Sequence, residues 1–354
     1  MTTDRTDWPA FRHDPAHTGV TPASRLESDA TIDWEFETGD GIASSPAVVG
    51  ETVYVGSNDS YLYALDVTRG EERWRFDTGE KVKSSPAVID RIVYVGSDDG
   101  SVYALDATDG TEAWRFSTGD RVFSSPAVVN GLVYIGSDDG FVYALDAADG
   151  TNAWQFECQT SVSSSPAVVN GTVYVGSDNG FVHALNADDG TKAWQYKTKG
   201  KVLSSPAVAD GVVYVGSGDT RLYAIDATTG DECWQFKTRG SVISSPAVDG
   251  ERVYVGAIDV TIDLEFVGST IALDKFSGEE QWQTQSEGFV DSSPAVAEEV
   301  VYVGTHERAL LGLDANSGNE QCRVEMGGPL LSSPVVANGR VYVGCDRGTV
   351  YAAT

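Results

Sequence analysis

Histidine, cysteine and serine are the residue types here with the best chance of doing chemistry, so their spacing is the first question. His13 and His17 are the one close histidine pair, but Pro15 lies between them and the segment reads as extended; His183 and His306 stand alone. Cys158, Cys233, Cys322 and Cys345 form no CxxC and no adjacent pair, and four cysteines in 354 residues are too few for a disulfide scaffold, which fits free thiols in a reducing compartment. A serine nucleophile needs a base beside it. Sixteen serines occur as Ser-Ser pairs with no histidine in register, and so read as small hydroxyls that satisfy backbone groups. Asp106-Ala-Thr-Asp109-Gly110 and Asp146-Ala-Ala-Asp149-Gly150 lack the alternate-position oxygens of a calcium loop and read as Asx turns. No catalytic residue, no metal ligand and no phosphate-binding glycine loop is expected.

The elements that position these residues repeat. Ser-Ser-Pro begins at Ser44, Ser84, Ser124, Ser164, Ser204, Ser244, Ser292 and Ser332, in steps of 40 residues except for one of 48. Each unit holds four short β-branched and aromatic runs. In the third these are Ser124-Ser-Pro-Ala-Val-Val129, Leu132-Val-Tyr-Ile-Gly136, Phe141-Val-Tyr-Ala-Leu-Asp146 and a run around Trp154. Asn130-Gly131 and Asp139-Gly140 are hairpin turns, and no stretch carries a helical period. Four antiparallel strands per 40 residues make one propeller blade. Proline cannot donate to a sheet ladder, so the Ser-Ser-Pro strand must be an edge, the one that lines the axis. The chain ends on a third strand, Val350-Tyr-Ala-Ala-Thr354, and Trp34-Glu-Phe-Glu37 is a fourth strand without its first three. The expected fold is therefore all-β: one eight-bladed propeller over residues 34–354, its last blade closed by the N-terminal strand. Residues 1–33 are expected to form a strap packed on it.

The charge balance narrows the partners. With 53 acidic against 24 basic residues the formal charge is −29, spread over nearly every turn, a coat that repels nucleic acid and suits solubility in molar salt, as in haloarchaeal proteins. No apolar run reaches a membrane span, and the first residues carry no basic, apolar or lipid-anchoring leader, so the expectation is a cytoplasmic protein without membrane insertion. Charged outer edges lead us to expect a monomer.

Ala224-Ile-Asp226-Ala-Thr-Thr229-Gly230-Asp-Glu-Cys-Trp234 has the form AxDxxTGxxxW, and Ala64…Trp74 and Ala104…Trp114 match it except at the threonine. This resembles the tryptophan-docking repeat of the quinoprotein-type (PQQ-like) propellers. The resemblance covers residues 34–354 and implies an eight-bladed fold. It also implies one of two roles: a PQQ-dependent dehydrogenase, or a non-catalytic scaffold similar to BamB. The dehydrogenases of the family hold PQQ between a tryptophan and an adjacent-cysteine disulfide and bind calcium through Glu, Asn and Asp. The absence of adjacent cysteines here favours the scaffold, with no cofactor; PQQ with calcium belongs to the alternative, a small-ligand or quinoprotein enzyme working at the channel mouth.

Function is then sought in what departs from the repeat. Ala43, Lys83, Phe123, Ser163, Leu203, Ile243, Asp291 and Leu331 precede Ser-Ser-Pro and should ring the channel mouth. A basic sector (Lys81, Lys83, Arg121, Lys197, Lys199, Lys201, Lys237, Arg239) lies near the same face. An eight-residue insertion in the sixth blade places Asp259, Ile262, Leu264 and Phe266 over it. Of these, Lys81, Lys83, Arg121, Phe123, Lys199, Lys201, Arg239, Asp259, Ile262, Leu264, Phe266 and Asp291 are the candidate face for an unidentified protein partner.

Overall fold

The alternation of turn residues and β-formers folds each 40-residue unit into an antiparallel sheet. A computed structural model describes residues 7–260 and 266–354. In the third blade, Ala127–Val129, Leu132–Gly136, Phe141–Asp146 and Asn152–Glu157 pair in sequence order, with Val128 opposite Val133, Tyr134 opposite Ala144, and Ala144 opposite Trp154. Asn130 and Gly131 take φ of 52° and 78°, the two left-handed residues that a tight hairpin of this kind needs. The described residues form eight such sheets and no helix.

Closure follows the expected route. Ile32–Glu37 pairs antiparallel with Thr349–Ala353, placing Trp34 opposite Ala352. Thr31 and Thr354 exchange backbone hydrogen bonds of 2.9 and 3.0 Å just beyond that ladder. The eighth blade thus takes its outer strand from the N-terminal part of the chain, and this strand starts at Ile32.

The blades are joined by their tryptophans. Each indole Nε1–H of Trp34, Trp74, Trp114, Trp154, Trp194, Trp234 and Trp282 donates to a carbonyl of the following blade at 2.8–3.1 Å. Its ring lies on a left-handed glycine there. At Gly150, for example, an added Cβ would fall 2.6 Å from Trp114. The glycine is demanded twice over, by φ of +74° and by the ring. Cys322 occupies the eighth position. The blade after it has no turn between its third and fourth strands; instead Leu26, buried in the same cluster as Cys322, approaches, and its N–H donates to Tyr302 Oη at 2.7 Å.

The N-terminal strap is inside the channel, where the sequence suggested only packing on the propeller. Its carbonyls from Trp8, Pro9, Pro15, Ala16, Thr18 and Gly19 accept N–H bonds of 2.6–2.9 Å from Val48, Val88, Val168, Val208, Val248 and Val296, following the blades in order. Val20–Thr21 then adds a parallel strand to Ala295–Ala297. The axis-facing edge that proline marks in the sequence is paired by the chain's own N-terminal segment, which avoids an unsatisfied sheet edge.

Candidate functional site

Above the strap, the inner strands build two rings of hydroxyls. In each blade the first serine accepts a hydrogen bond from the last glycine of the second strand, as with Gly56 N–H to Ser44 Oγ at 3.1 Å. The second serine works between blades. Ser45 N–H donates to Ser85 Oγ, Ser85 to Ser125, Ser125 to Ser165, and so round to Ser333, whose N–H donates to Ser45 Oγ at 3.1 Å and completes the circle. These serines are structural acceptors, as their lack of a base suggests.

The second ring walls a cup of about 470 Å³. Its rim is Ala43, Lys83, Phe123, Ser163, Leu203, Ile243, Asp291 and Leu331, and its floor is Phe11 of the strap. Nothing in the repeat signals Phe11, because the strap lies outside it. Phe123 and Leu203 are exposed at 43% and 40%. Beneath Phe11, Arg12 donates from both terminal nitrogens to the carbonyls of Pro246 and Pro294, and His17 donates from Nδ1 to Pro206 O at 3.1 Å. Burial pushes the Arg12 guanidinium down to about 9, against the attraction of Asp14, so it stays cationic at neutral pH. Gly19 is needed here, since a side chain at that position would run into the guanidinium.

Burial likewise lowers His17 to about 4, Asp14 opposing, and His183 to about 4. His183 fills the ladder position of a tyrosine and packs between Phe156 and Phe181. Both imidazoles are neutral in the folded state, whereas the unfolded chain takes up protons below about pH 6.5. Stability is therefore expected to be insensitive to these groups above pH 6.5. It falls as pH drops toward 4, by about 1.4 kcal/mol per unit per histidine. Denaturant titrations at pH 7, 5.5 and 4.5 check this, and His183→Tyr should lose part of the slope.

The rim charges come in pairs. Lys83 Nζ meets Asp98 at 2.5 Å and lies 5.8 Å from the Phe123 ring centre. Across the channel, Asp291 meets His306 Nε2 at 3.0 Å, and His306 packs edge-on against Phe289. Both pairs span fifteen residues, so His306 was findable: the two repeat positions have exchanged their acidic and basic residue types. The basic sector divides. Lys201 pairs with Asp178 at 2.6 Å and Arg121 with Asp120 at 3.9 Å, while Lys197 reaches the carbonyl of Asn179. Lys81, Lys199, Lys237 and Arg239 make no ion pair among the described residues. Their loops share one face with the second hairpins, joined by bonds such as Asp98 N–H to Lys81 O at 2.8 Å. In the sixth blade, Arg252–Val260 and Phe266–Asp274 form a hairpin longer than its counterparts, with Asp259 opposite Val267 and Phe266 opposite Val260; Ile262 and Leu264 lie outside the described residues.

The cup lacks the lining that PQQ and calcium would need. Its aromatic lining is phenylalanine, it holds no cysteine or tryptophan, and Asp291 is its one carboxylate. No cluster of three or more His, Cys, Asp or Glu able to hold a metal occurs among the described residues. These residues do not fit that cofactor pair.

Comparison with known proteins adds the family. No curated protein matches the chain in sequence. BamB from Moraxella catarrhalis superposes with a TM-score of 0.78 at 19% identity, covering 92% of this chain and 98% of that one. Quinohemoprotein alcohol dehydrogenase from Comamonas testosteroni gives 0.85 at 18%, covering 98% and 80%. A europium-containing methanol dehydrogenase gives 0.84 at 14%, covering 99% and 98%. At these identities the likeness is one of fold. The model of the outer membrane protein assembly factor BamB matches residues 199–263 and 267–354, and that of the β-propeller of beta-alanine-activating enzyme matches residues 16–211, more than half the chain. The chain is a PQQ-like repeat β-propeller and belongs to the family of the second model, the β-propeller of beta-alanine-activating enzyme.

Proposed function

We propose that the protein is a non-catalytic scaffold that docks a protein partner at the channel mouth. One observation carries this reading. The side chains that ring the channel mouth change from blade to blade, from Ala43 through Lys83 and Phe123 to Asp291, and two of them, Phe123 and Leu203, are large, apolar and exposed. The long hairpin of the sixth blade offers a second contact beside it. Against the dehydrogenase alternative stands the mismatch between the cup lining and PQQ with calcium.

A photo-crosslinking side chain at position 123 or 203 tests the proposal in the native cell. A discrete protein adduct is expected from both, and none from position 233 on the exposed outer strand. The adduct at 123 should fall at least fivefold with Leu203→Asp, and further when residues 259–266 are replaced by a short hairpin. Equal labelling from 123 and 233 would refute docking at this face.

A further inference from the structure

We infer that the cup receives the free C-terminal carboxylate of a partner polypeptide whose last side chain is apolar, an inference that rests on the scaffold reading above. The hydroxyl ring points there first. Each second-serine Oγ already accepts a neighbour's N–H, and no described residue accepts its own O–H proton. Eight donors therefore converge on one cavity. A carboxylate is the side-chain-sized group that only accepts, with about four lone-pair sites for them.

The charge beneath agrees. Arg12 bonds to Pro246 and Pro294, each one residue below the serine ring in its strand; it is 2% exposed, and its Nε has no partner. A body of net charge −29 thus holds a buried cation in the strap, next in sequence to the Phe11 that lines the cup. Lys81, Lys199, Lys237 and Arg239, which make no ion pair among the described residues, lie on the same face, where they would draw an anion toward the mouth.

The shape selects a chain end. A carboxylate fills only a small part of 470 Å³, and the apolar collar of Phe123, Leu203, Ile243 and Leu331, with Phe11 below, suits a hydrophobic side chain beside it. Under the cup the strap runs across the channel, bonded to the inner strands of six blades, with Phe11 facing the cavity. A polypeptide that enters must stop there, which is the geometry of C-terminal capture.

The test uses the full chain and two sets of random hexapeptides immobilised by their N-termini, one ending in free acids and one in amides. Acids with an apolar last residue are expected to retain the protein at least tenfold better than their amides. Phe123→Asp, checked by thermal melting to be folded, should remove that preference. Hexanoate added as competitor separates a free small carboxylate from a chain end: full competition at micromolar hexanoate would reassign the cup to small acids and overturn the proposal. Equal retention of acids and amides, or none of either, also overturns it. If the adducts at positions 123 and 203 persist in those cases, the scaffold reading stands and only the C-terminal capture falls.

Discussion

A chain that begins at residue 38 is expected to lose the closed ring and all cooperative unfolding. The missing segment contains Ile32–Glu37, whose ladder with Thr349–Ala353 is the contact by which the eighth blade becomes a four-stranded sheet. Trp34 goes with it, and its indole both bonds Val67 O at 3.1 Å and covers Gly70 of the first blade. Burying one indole removes about 150–250 Å² from water, about 4–6 kcal/mol at ~25 cal/mol per Å² before any offset. That approaches the whole stability of an ordinary domain, about 5–15 kcal/mol. The strap is lost too, and with it the acceptors for six inner-strand N–H groups. The discriminating control is a permutant in which Ile32–Glu37 follows Thr354 through an Asp-Gly turn. It should recover the near-ultraviolet circular dichroism of a packed ring, although without the strap its channel is open. A truncated chain that unfolds with the full-length midpoint would show that the seam contributes nothing.

Trp114→Ala is expected to destabilise the protein by about 3–5 kcal/mol, the usual cost of deleting a large buried aromatic. The indole is 8% exposed, bonds Ala147 O at 3.0 Å, and packs 5.8 Å from the Tyr94 ring. The reciprocal change attacks the same joint from the other side. Gly150→Ala forces a Cβ to within 2.6 Å of Trp114 at a φ of +74°, so overpacking and backbone strain add, for about 1–3 kcal/mol or more. Because both substitutions break one contact, the double variant should cost clearly less than the two together. Guanidinium titrations of the four proteins measure this. Additive costs would mean that the glycine and the indole do not act as one joint.

The seam, the docking tryptophans and the axial edge were all legible in the residue order, because each follows from a local rule repeated eight times. Proline cannot sit inside a ladder, Asn-Gly closes a two-residue hairpin, and a third strand without a fourth needs one from elsewhere. The same repetition made the rim legible: residues such as Lys83, Phe123 and Asp291 hold equivalent positions and must therefore share one circle.

What the residue order left open lies in the parts that occur once. Asp291 and His306 were in view, but their pairing depends on two loops that meet only when the blade folds. The strap is the clearest case. No periodicity says that Phe11 floors a cup, or that Arg12 reaches the carbonyls of two prolines more than 230 residues away. Local backbone preference and side-chain period determine the blades and their number. Where a nonrepeating segment lies is decided by the unsatisfied backbone groups that eight assembled blades leave facing the axis, and those groups exist as a set only in the tertiary structure.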